Sequence, residues 1–466
     1  MATITVLGAA NGVTGSCYLL ESAHSRVLLE CGLVRGHAEE ERANAAPFPF
    51  DARTLDAAVL SHAHLDHSGR LPRLVAAGFS GPVHMTEPTA ELLEVLLRDA
   101  ASLARRDAEW ENRRPRRAGK PEIEPLFTLE DVAWTLERCV GAPYGQRVPI
   151  TEDIAVRFRD AGHILGSAIV EVFVTEGDAG RKLVFSGDLG NGDTALLRPP
   201  ETVDAAGLVL MESTYGNRDH RPMDETLAEF AAIIATASEN GGNILIPSFA
   251  VGRAQEILFR LGELYQRGEL RHQRIYLDSP MAIAATEVYH RWQSAFDASD
   301  RAALGTGRGA SLHTLLPTLR YASSTEESIR LNRIEAGAII VAGSGMCNGG
   351  RIRHHLRHNL WKRDAHVVIV GYQAVGTPGR RLVDGASSLV IGGEEIAVKA
   401  RIHTLGGFSA HAGQSQLLDW ATRFSAAAPR LCLIHGDPDA KLDLQRLLEE
   451  RGITADIPSH GDVVSF

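Results

Sequence analysis

The chain opens on short apolar runs with the period of strands. Residues 3–8, 16–20 and 27–29 read as strands, with a small-residue turn at 8–12. The run at 56–60 is apolar and stops at Ser61, so it reads as a buried strand, and a turn through Pro72 leads into a helical run at 74–78. Helical spacing covers 88–107 and 129–139, and extended runs return at 156–158, 169–174 and 183–185. From residue 208 the rhythm changes. Apolar runs at 208–211, 243–246, 275–277, 338–342 and 366–370 each close in a polar or glycine-rich loop, and helices follow two of those loops, to about 265 and over 351–363. Strands alternating with helices predict a parallel sheet that presents its chemistry at the strands' carboxyl ends. The first rhythm resumes with a strand at 395–402, a helix at 414–424, a run at 431–434 and a helix at 440–451. The expected division is therefore 1–214, an inserted α/β domain at 215–393, and 394–466. No internal repeat and no low-complexity tract interrupts it.

Length and composition narrow this picture only a little. At 466 residues the chain is too long for one core, so at least two domains are expected. With 44% hydrophobic and 23% charged residues, the disordered classes are excluded. No apolar run reaches membrane-span length, and the N-terminal residues read as a first strand rather than a signal peptide. Five scattered cysteines (17, 31, 139, 347 and 432) with no CxxC fit a reducing cytoplasm and argue against a cysteine zinc ribbon. A net charge of −10 argues against a generally basic nucleic-acid binder, so any such binding needs a local basic groove. Residues 105–120, dense in arginine and proline around Arg113–Arg117, read as an exposed loop.

The chemistry concentrates at strand ends. His62, His64, Asp66 and His67 form an HxHxDH stretch where the buried strand 56–60 stops. His62 and His64 lie two apart and point to one side of an extended segment, while Asp66 and His67 follow the turn and face a second point. Neutral imidazole beside carboxylate suits zinc. Further acids and histidines stand at other strand ends or inter-strand loops: Glu30, His163, Asp188, Glu212, His411 and His435. Spread this way, they imply one composite site on one rim. Two metals of four to five ligands each need about six to eight ligating groups with one carboxylate shared. Histidines 62, 64, 67, 163 and 435 with Asp66 and Asp188 supply seven.

In this order, HxHxDH, a loop histidine and the SGDLG at 186–190 resemble the metallo-β-lactamase superfamily. The later stretches resemble its β-CASP branch of RNA-processing nucleases, bacterial and archaeal relatives of the pre-mRNA 3′-end cleavage endonuclease. These are ESTYG at 212–216, PSFAVGRAQE at 247–256, GSGM at 343–346, SAH at 409–411 and IHG at 434–436. The resemblance implies an αββα metallo-β-lactamase sandwich with an inserted α/β β-CASP domain and the site in the cleft between them. It implies a zinc-dependent ribonuclease that cuts RNA phosphodiester bonds with a metal-bridging hydroxide. Two zinc ions are expected, one on His62, His64 and His163, the other on Asp66, His67 and His435, with Asp188 bridging. Asp66, Glu212 and His411 are the expected catalytic residues, the last two in leaving-group protonation. The same motifs make Ser248, Arg253, Ser344, Gly345 and Ser409 the expected substrate-binding residues, with phosphate held at Arg253 and at the glycine-rich turn opening helix 351–363. His435 matches RNA-acting members, whereas DNA-acting ones typically carry valine there.

One departure stands out. The family usually has aspartate at the position of Glu30, where it supports the metal site from behind, and a longer side chain is expected to shift a ligand and lower metal affinity. Neither a ribonuclease J type extension after Phe466 nor a KH-like segment before Met1 is expected, and on that expectation the resemblance is to the compact 3′-end-nuclease type. The expected partner is single-stranded RNA, not a membrane, in the cytoplasm, and a homodimer is left open. His354, His355 and His358 are expected on a helix surface and His403 in a structural role. Two other readings compete: an inactive β-CASP scaffold subunit, against which all seven ligand positions being filled argues, and a small-molecule ester or thioester hydrolase, against which the insert and its motifs argue.

Overall fold

A computed structural model describes residues 2–35, 42–113, 122–176, 179–271, 274–305, 310–424 and 428–466. Of the stretch 105–120 expected as an exposed loop, residues 105–112 instead continue the helix Glu87–Asn112, and 114–120 lie outside the described residues. The chain forms two compact units, one of Met1–Asn191, Pro199–Asp219 and His411–Phe466, the other of Gly192–Arg198 and His220–Ala410.

The first unit is built on two seven-stranded sheets. In one, Val463–Ser465, Thr3–Val6, Tyr18–Glu21, Arg26–Leu29, Ala57–Val59, Val83–Thr86 and Cys139–Ala142 lie side by side. In the other the order is Ala455–Asp456, Arg430–Ile434, Leu208–Glu212, Ala179–Phe185, Ala168–Glu176, Ile154–Asp160 and Arg147–Pro149. Alternating residues of both sheets, among them Ile4, Tyr18, Leu20, Val156, Phe158, Val170 and Leu210, form one fully buried core. The opposite face of the second sheet packs Val184, Val209 and Leu433 against Leu417, Leu444 and Leu448 of helices Gln414–Thr422 and Pro438–Glu450. At roughly 25 cal/mol per Å², burying such side chains contributes about 1.5–3 kcal/mol each, which is what holds the layers together.

Register then decides where the polar strand ends emerge. Arg26–Leu29 runs parallel to Ala57–Val59 with Leu29 opposite Val59, so Glu30 and the stretch from Ser61 leave at one end. Ala179–Phe185, Leu208–Glu212 and Arg430–Ile434 are also parallel, with Phe185 opposite Leu210 and Glu212 opposite Ile434. The two sheets are tied at that rim by the Ala168 N–H, which donates to the Ser61 carbonyl at 2.8 Å.

The second unit holds a six-stranded parallel sheet ordered Leu319–Tyr321, Arg274–Asp278, Ala338–Ala342, Ile244–Pro247, His366–Ile369 and Arg401–Thr404. The single strand expected at 395–402 is two strands. Glu394–Ala397 pairs with Ser388–Ile391 in a hairpin, and Arg401–Thr404 joins the parallel sheet. Gly392 and Gly393 sit between the hairpin strands at φ 63° and 86°, a conformation that glycine adopts without penalty. The helix expected at 129–139 ends at Leu136, and Cys139–Ala142 becomes an edge strand. The compact units change at 191/192, 198/199, 219/220 and 410/411. Among the described residues no helix is long and apolar enough to cross a membrane.

Candidate metal centre

The first unit's rim gathers the expected ligands. His62 Nε2 and His163 Nε2 lie 3.1 Å and 3.2 Å from His64 Nδ1, and each is 3.5 Å from Asp188 Oδ2. On the other side, His67 Nε2 is 3.3 Å and His435 Nδ1 3.6 Å from Asp188 Oδ1. Asp66 Oδ2 sits 3.7 Å from His67 Nε2 and 3.8 Å from His435 Nε2. The two oxygens of Asp188 are therefore divided between two nitrogen clusters. Two sets of potential ligand atoms, His62/His64/His163/Asp188 and Asp66/His67/His435, each fall within 4.8 Å of one another.

The surrounding hydrogen bonds select which ring nitrogen faces inward. The Ser61 hydroxyl lies 3.0 Å from Glu30 Oε2 and 3.0 Å from His62 Nδ1, so it can donate to the first and accept from the second, leaving His62 Nε2 with a free lone pair. Glu30 is buried. Its Oε2 holds His67 Nδ1 at 2.5 Å, and its Oε1 accepts the Ser61 N–H at 2.6 Å. The Thr214 hydroxyl sits 3.1 Å from His435 Nδ1. Glu30 and His435 turn the chain through left-handed φ of 63° and 47°, a strain of about 1–3 kcal/mol each for a non-glycine residue. The expected shift of a ligand by the longer Glu30 is not seen as a lost contact, since its carboxylate reaches both His67 and Ser61. Ser61 and Thr214 are supports that the strand-end count passed over, although both adjoin motif residues.

Charge and burial favour a cation here. Burial holds His62 and His64 below the usual imidazole range, in the neutral form that ligates metal. Burial disfavours a charged Asp188, yet His67, His435 and His62 hold it well below the usual carboxylate range. Burial likewise opposes charge on His67, but Asp188 and Asp66 raise it well above the imidazole range. His67 Nε2, His435 Nε2 and Asp188 Oδ1 are buried and make no hydrogen bond. Leaving such atoms unsatisfied costs about 1–3 kcal/mol each. Buried imidazole nitrogens and a carboxylate oxygen left without hydrogen bonds fit zinc, whose usual donors are these atoms and which would take the place of a proton on His67.

Beside this cluster, His411 Nδ1 lies 3.3 Å from Glu212 Oε1, and His411 Nε2 is 4.0 Å from Asp188 Oδ2. Glu212 is fully buried, accepting N–H groups from Leu189 at 2.8 Å and Thr214 at 3.1 Å. Burial lowers the His411 pKa, but Glu212 and Asp188 outweigh it and carry it up to about 9.

The expected substrate-binding residues lie in the second unit and are not alike. Arg253 is buried, paired with Glu256 and set 5.9 Å from the Phe408 ring, so its guanidinium is committed inside that unit. The Ser248 hydroxyl donates to the Phe249 carbonyl, the Ser344 hydroxyl to Asn348, and the Ser409 N–H to the Gly407 carbonyl. Gly345 packs on Phe249. On helix Ile352–Asn359 and its cap, Arg351 is held by Asp278 and Arg357 by Glu394. His355 is not on the surface: it is fully buried, with Nε2 2.6 Å from Asp278 Oδ2. Helical spacing could not show this, because the acid that draws it inward lies 77 positions earlier in the chain. His403 stacks on His366 with a 3.0 Å ring contact.

Comparison with known proteins agrees with this geometry. Residues 10–221 match the metallo-β-lactamase superfamily, 254–382 the Beta-Casp domain and 395–458 the Zn-dependent metallo-hydrolase RNA specificity domain. Ribonuclease TTHA0252 of Thermus thermophilus is 41% identical over 99% of both chains. Transcription termination factor FttA is 31% identical in Methanothermobacter thermautotrophicus and 28% in Methanocaldococcus jannaschii, over 95% and 94% of this chain and 68% of each relative. A solved protein of unknown function from Enterococcus faecalis V583 shares the fold, with a TM-score of 0.55 at 13% identity over 100% of both chains. With an αββα body, a metal-ligand rim and a near full-length relative at 41% identity, the chain belongs to the β-CASP family of the metallo-β-lactamase fold.

Proposed function

We propose that the protein is a two-zinc ribonuclease acting on single-stranded RNA in the cytoplasm. The observation that carries this is the division of Asp188 between two nitrogen clusters, 3.5 Å from His62 and His163 on one oxygen and 3.3 Å from His67 on the other. In this reading His62, His64 and His163 hold one ion, Asp66, His67 and His435 the other, and Asp188 bridges. Bound zinc supplies charge neutralisation for the phosphodiester and lowers the pKa of a water toward ~7. Glu30, Ser61 and Thr214 fix the rings so that binding costs little reorganisation. Glu212 orients His411 and keeps its imidazole charged, ready to give a proton to the departing 3′-oxygen.

Four cysteines (17, 31, 347 and 432) are buried as free thiols, which supports a reducing compartment. An inactive scaffold would not need seven converging ligands. The deciding experiment incubates the purified protein with end-labelled RNA, with and without chelator, alongside elemental analysis. About two zincs per chain and chelator-sensitive cleavage are expected. One or no zinc in zinc-replete protein, or cleavage that survives chelation, would overturn the reading.

A further inference from the structure

Three neighbouring strands of the second unit, Ala338–Ala342, Ile244–Pro247 and His366–Ile369, end side by side. The first leads into the turn at 343–350, the second into Ser248 and Phe249, the third into Gly371 and Tyr372. Phe249 is 44% exposed and Tyr372 52% exposed, in a unit whose other phenylalanines include the fully buried Phe230, Phe259 and Phe408. A Cβ on Gly345 would come within 2.9 Å of Phe249 Cδ2 and Cε2, and one on Gly371 within 3.7 Å, so two glycine backbones hold one edge of the ring. Behind them Gln373 is buried, and its amide Nε2 lies 3.0 Å from the Gly345 carbonyl, 3.1 Å from that of Gly371 and 3.0 Å from that of Tyr372. One side chain thus ties the turn against which Phe249 packs to the loop that carries Tyr372.

A ring packed along one edge, with a second exposed ring on the neighbouring loop, suits an occupant that is flat and apolar on its face. An unpaired nucleobase meets both conditions, and aromatic stacking on a rigid ring loses little entropy. We infer that Phe249 and Tyr372, held by Gly345 and Gln373, form a stacking platform for an unpaired base of the RNA substrate. The inference rests on the ribonuclease reading for the identity of the substrate. It adds that the second unit grips bases as well as backbone, tolerantly of sequence, because every base has a face to stack.

The test uses the zinc-loaded full chain and a single-stranded decamer carrying 2-aminopurine, or an abasic residue, moved one position at a time. Fluorescence anisotropy reads affinity, and quenching of 2-aminopurine reads stacking. For the wild type, one position quenches on binding, and an abasic residue there weakens affinity. Phe249→Ala and Tyr372→Ala weaken affinity by about 5- to 150-fold each, the usual range for one stacked base, and abolish sensitivity to the abasic residue. Phe249→Trp restores both, which a merely structural role for the ring would not predict, and circular dichroism checks that each variant is folded. Undiminished affinity in both alanine variants, or quenching that persists in them, overturns the platform while leaving the ribonuclease reading intact. Wild-type protein that binds and quenches but never cleaves supports the platform and overturns the ribonuclease reading. No binding to RNA overturns both. A change in sedimentation in Phe249→Ala with RNA affinity unchanged reassigns the rings to a protein interface and also overturns the platform.

Discussion

Each unit ends its parallel strands in a polar rim, and the two rims have opposite characters. In the first unit the strand ends carry buried imidazoles and carboxylates whose remaining lone pairs have no partner in the protein. In the second, Asp278 is just as buried, but His355, Arg351 and Ser328 all bond to it. Among the described residues every group of three or more candidate ligands lies in the first unit. What the second rim leaves open is rings and glycines. A satisfied acid is architecture, whereas an unsatisfied acid facing four histidines is a place for a cation. The lesson is to ask not how buried a charge is but whether the protein itself completes its shell.

Changes at the first rim should break this contrast most sharply. Asp188→Ala is expected to take elemental zinc from about two per chain to nearly none, since each oxygen serves one cluster. Cleavage should fall further than the about 10²–10³-fold typical of losing a single electrostatic contact. RNA affinity contributed by the second rim should persist, and its loss along with the zinc would show that the rims are not separable. His411→Ala comes next. It should keep both ions and lower the cleavage rate by about 10²–10⁴-fold, the size of a general-acid contribution. The deficit should shrink on a nitrophenyl phosphodiester, whose oxygen departs without a proton. Equal deficits on both substrates would make His411 a positioning residue, and lost zinc would move it into the ligand set.

Glu30 tests whether the support behind the ligands sharpens the first rim. Glu30→Ala should weaken zinc binding by about 10- to 100-fold in a competition titration with a chelating dye. Because the glutamate reaches both His67 and Ser61, the shorter Glu30→Asp should fall between alanine and wild type rather than improve on it. Affinity unchanged by either would reduce Glu30 to a buried acid without influence on the metal.

The smallest effect concerns a buried acid of the first unit that the protein does complete. Glu171 is buried among Arg157, Arg159 and Lys182, and although burial opposes its charge, these cations lower its pKa from 4.5 to about 2. A native pKa below the unfolded one means the contribution is full above about 4.5 and disappears as pH falls through about 2. The stability difference between wild type and Glu171→Gln in urea unfolding should be flat at neutral pH and shrink across that acid window. It should not respond to chelator, whereas the wild-type melting temperature itself should drop when zinc is removed. A chelator-dependent difference would mean the two acids are not independent.

Much of the first rim was legible because strand ends are local. A run such as 56–60 announces its own end, and polar residues just beyond it have nowhere else to point. His163, Asp188, Glu212 and His435 could be found by the same rule, one strand at a time. What lay hidden was pairing across sequence. Nothing near His355 announces Asp278, and nothing near Arg253 marks it as buried, since both outcomes depend on which helix packs on which strand. The strand 139–142 was hidden for another reason. It is a short edge strand, and only Glu137 and Arg138, neither of them a breaker, separate it from the helix that ends at Leu136. The Gly392–Gly393 turn was a signal available and unused, a two-glycine link between apolar runs.

The pairing of Val463–Ser465 with Thr3–Val6 has a consequence in time as well as space. A ribosome releases the strands of the first sheet at the start of synthesis, yet one of their neighbours emerges only at the last residues. Every strand of the second unit's parallel sheet has left by Thr404, before Arg430–Ile434 and His435 exist. The inserted unit is therefore free to fold while the unit that surrounds it in sequence waits for three of its fourteen described strands, Arg430–Ile434, Ala455–Asp456 and Val463–Ser465. Domains fold as units during synthesis, and long-range pairings close slowest. His62 has to be kept from wrong partners over more than 350 residues of elongation before His435 arrives. His435, the last of the proposed ligands to be made, thus acts as a checkpoint: a nascent chain cannot acquire the complete proposed metal-binding set, and so cannot begin cutting RNA, until it is nearly finished.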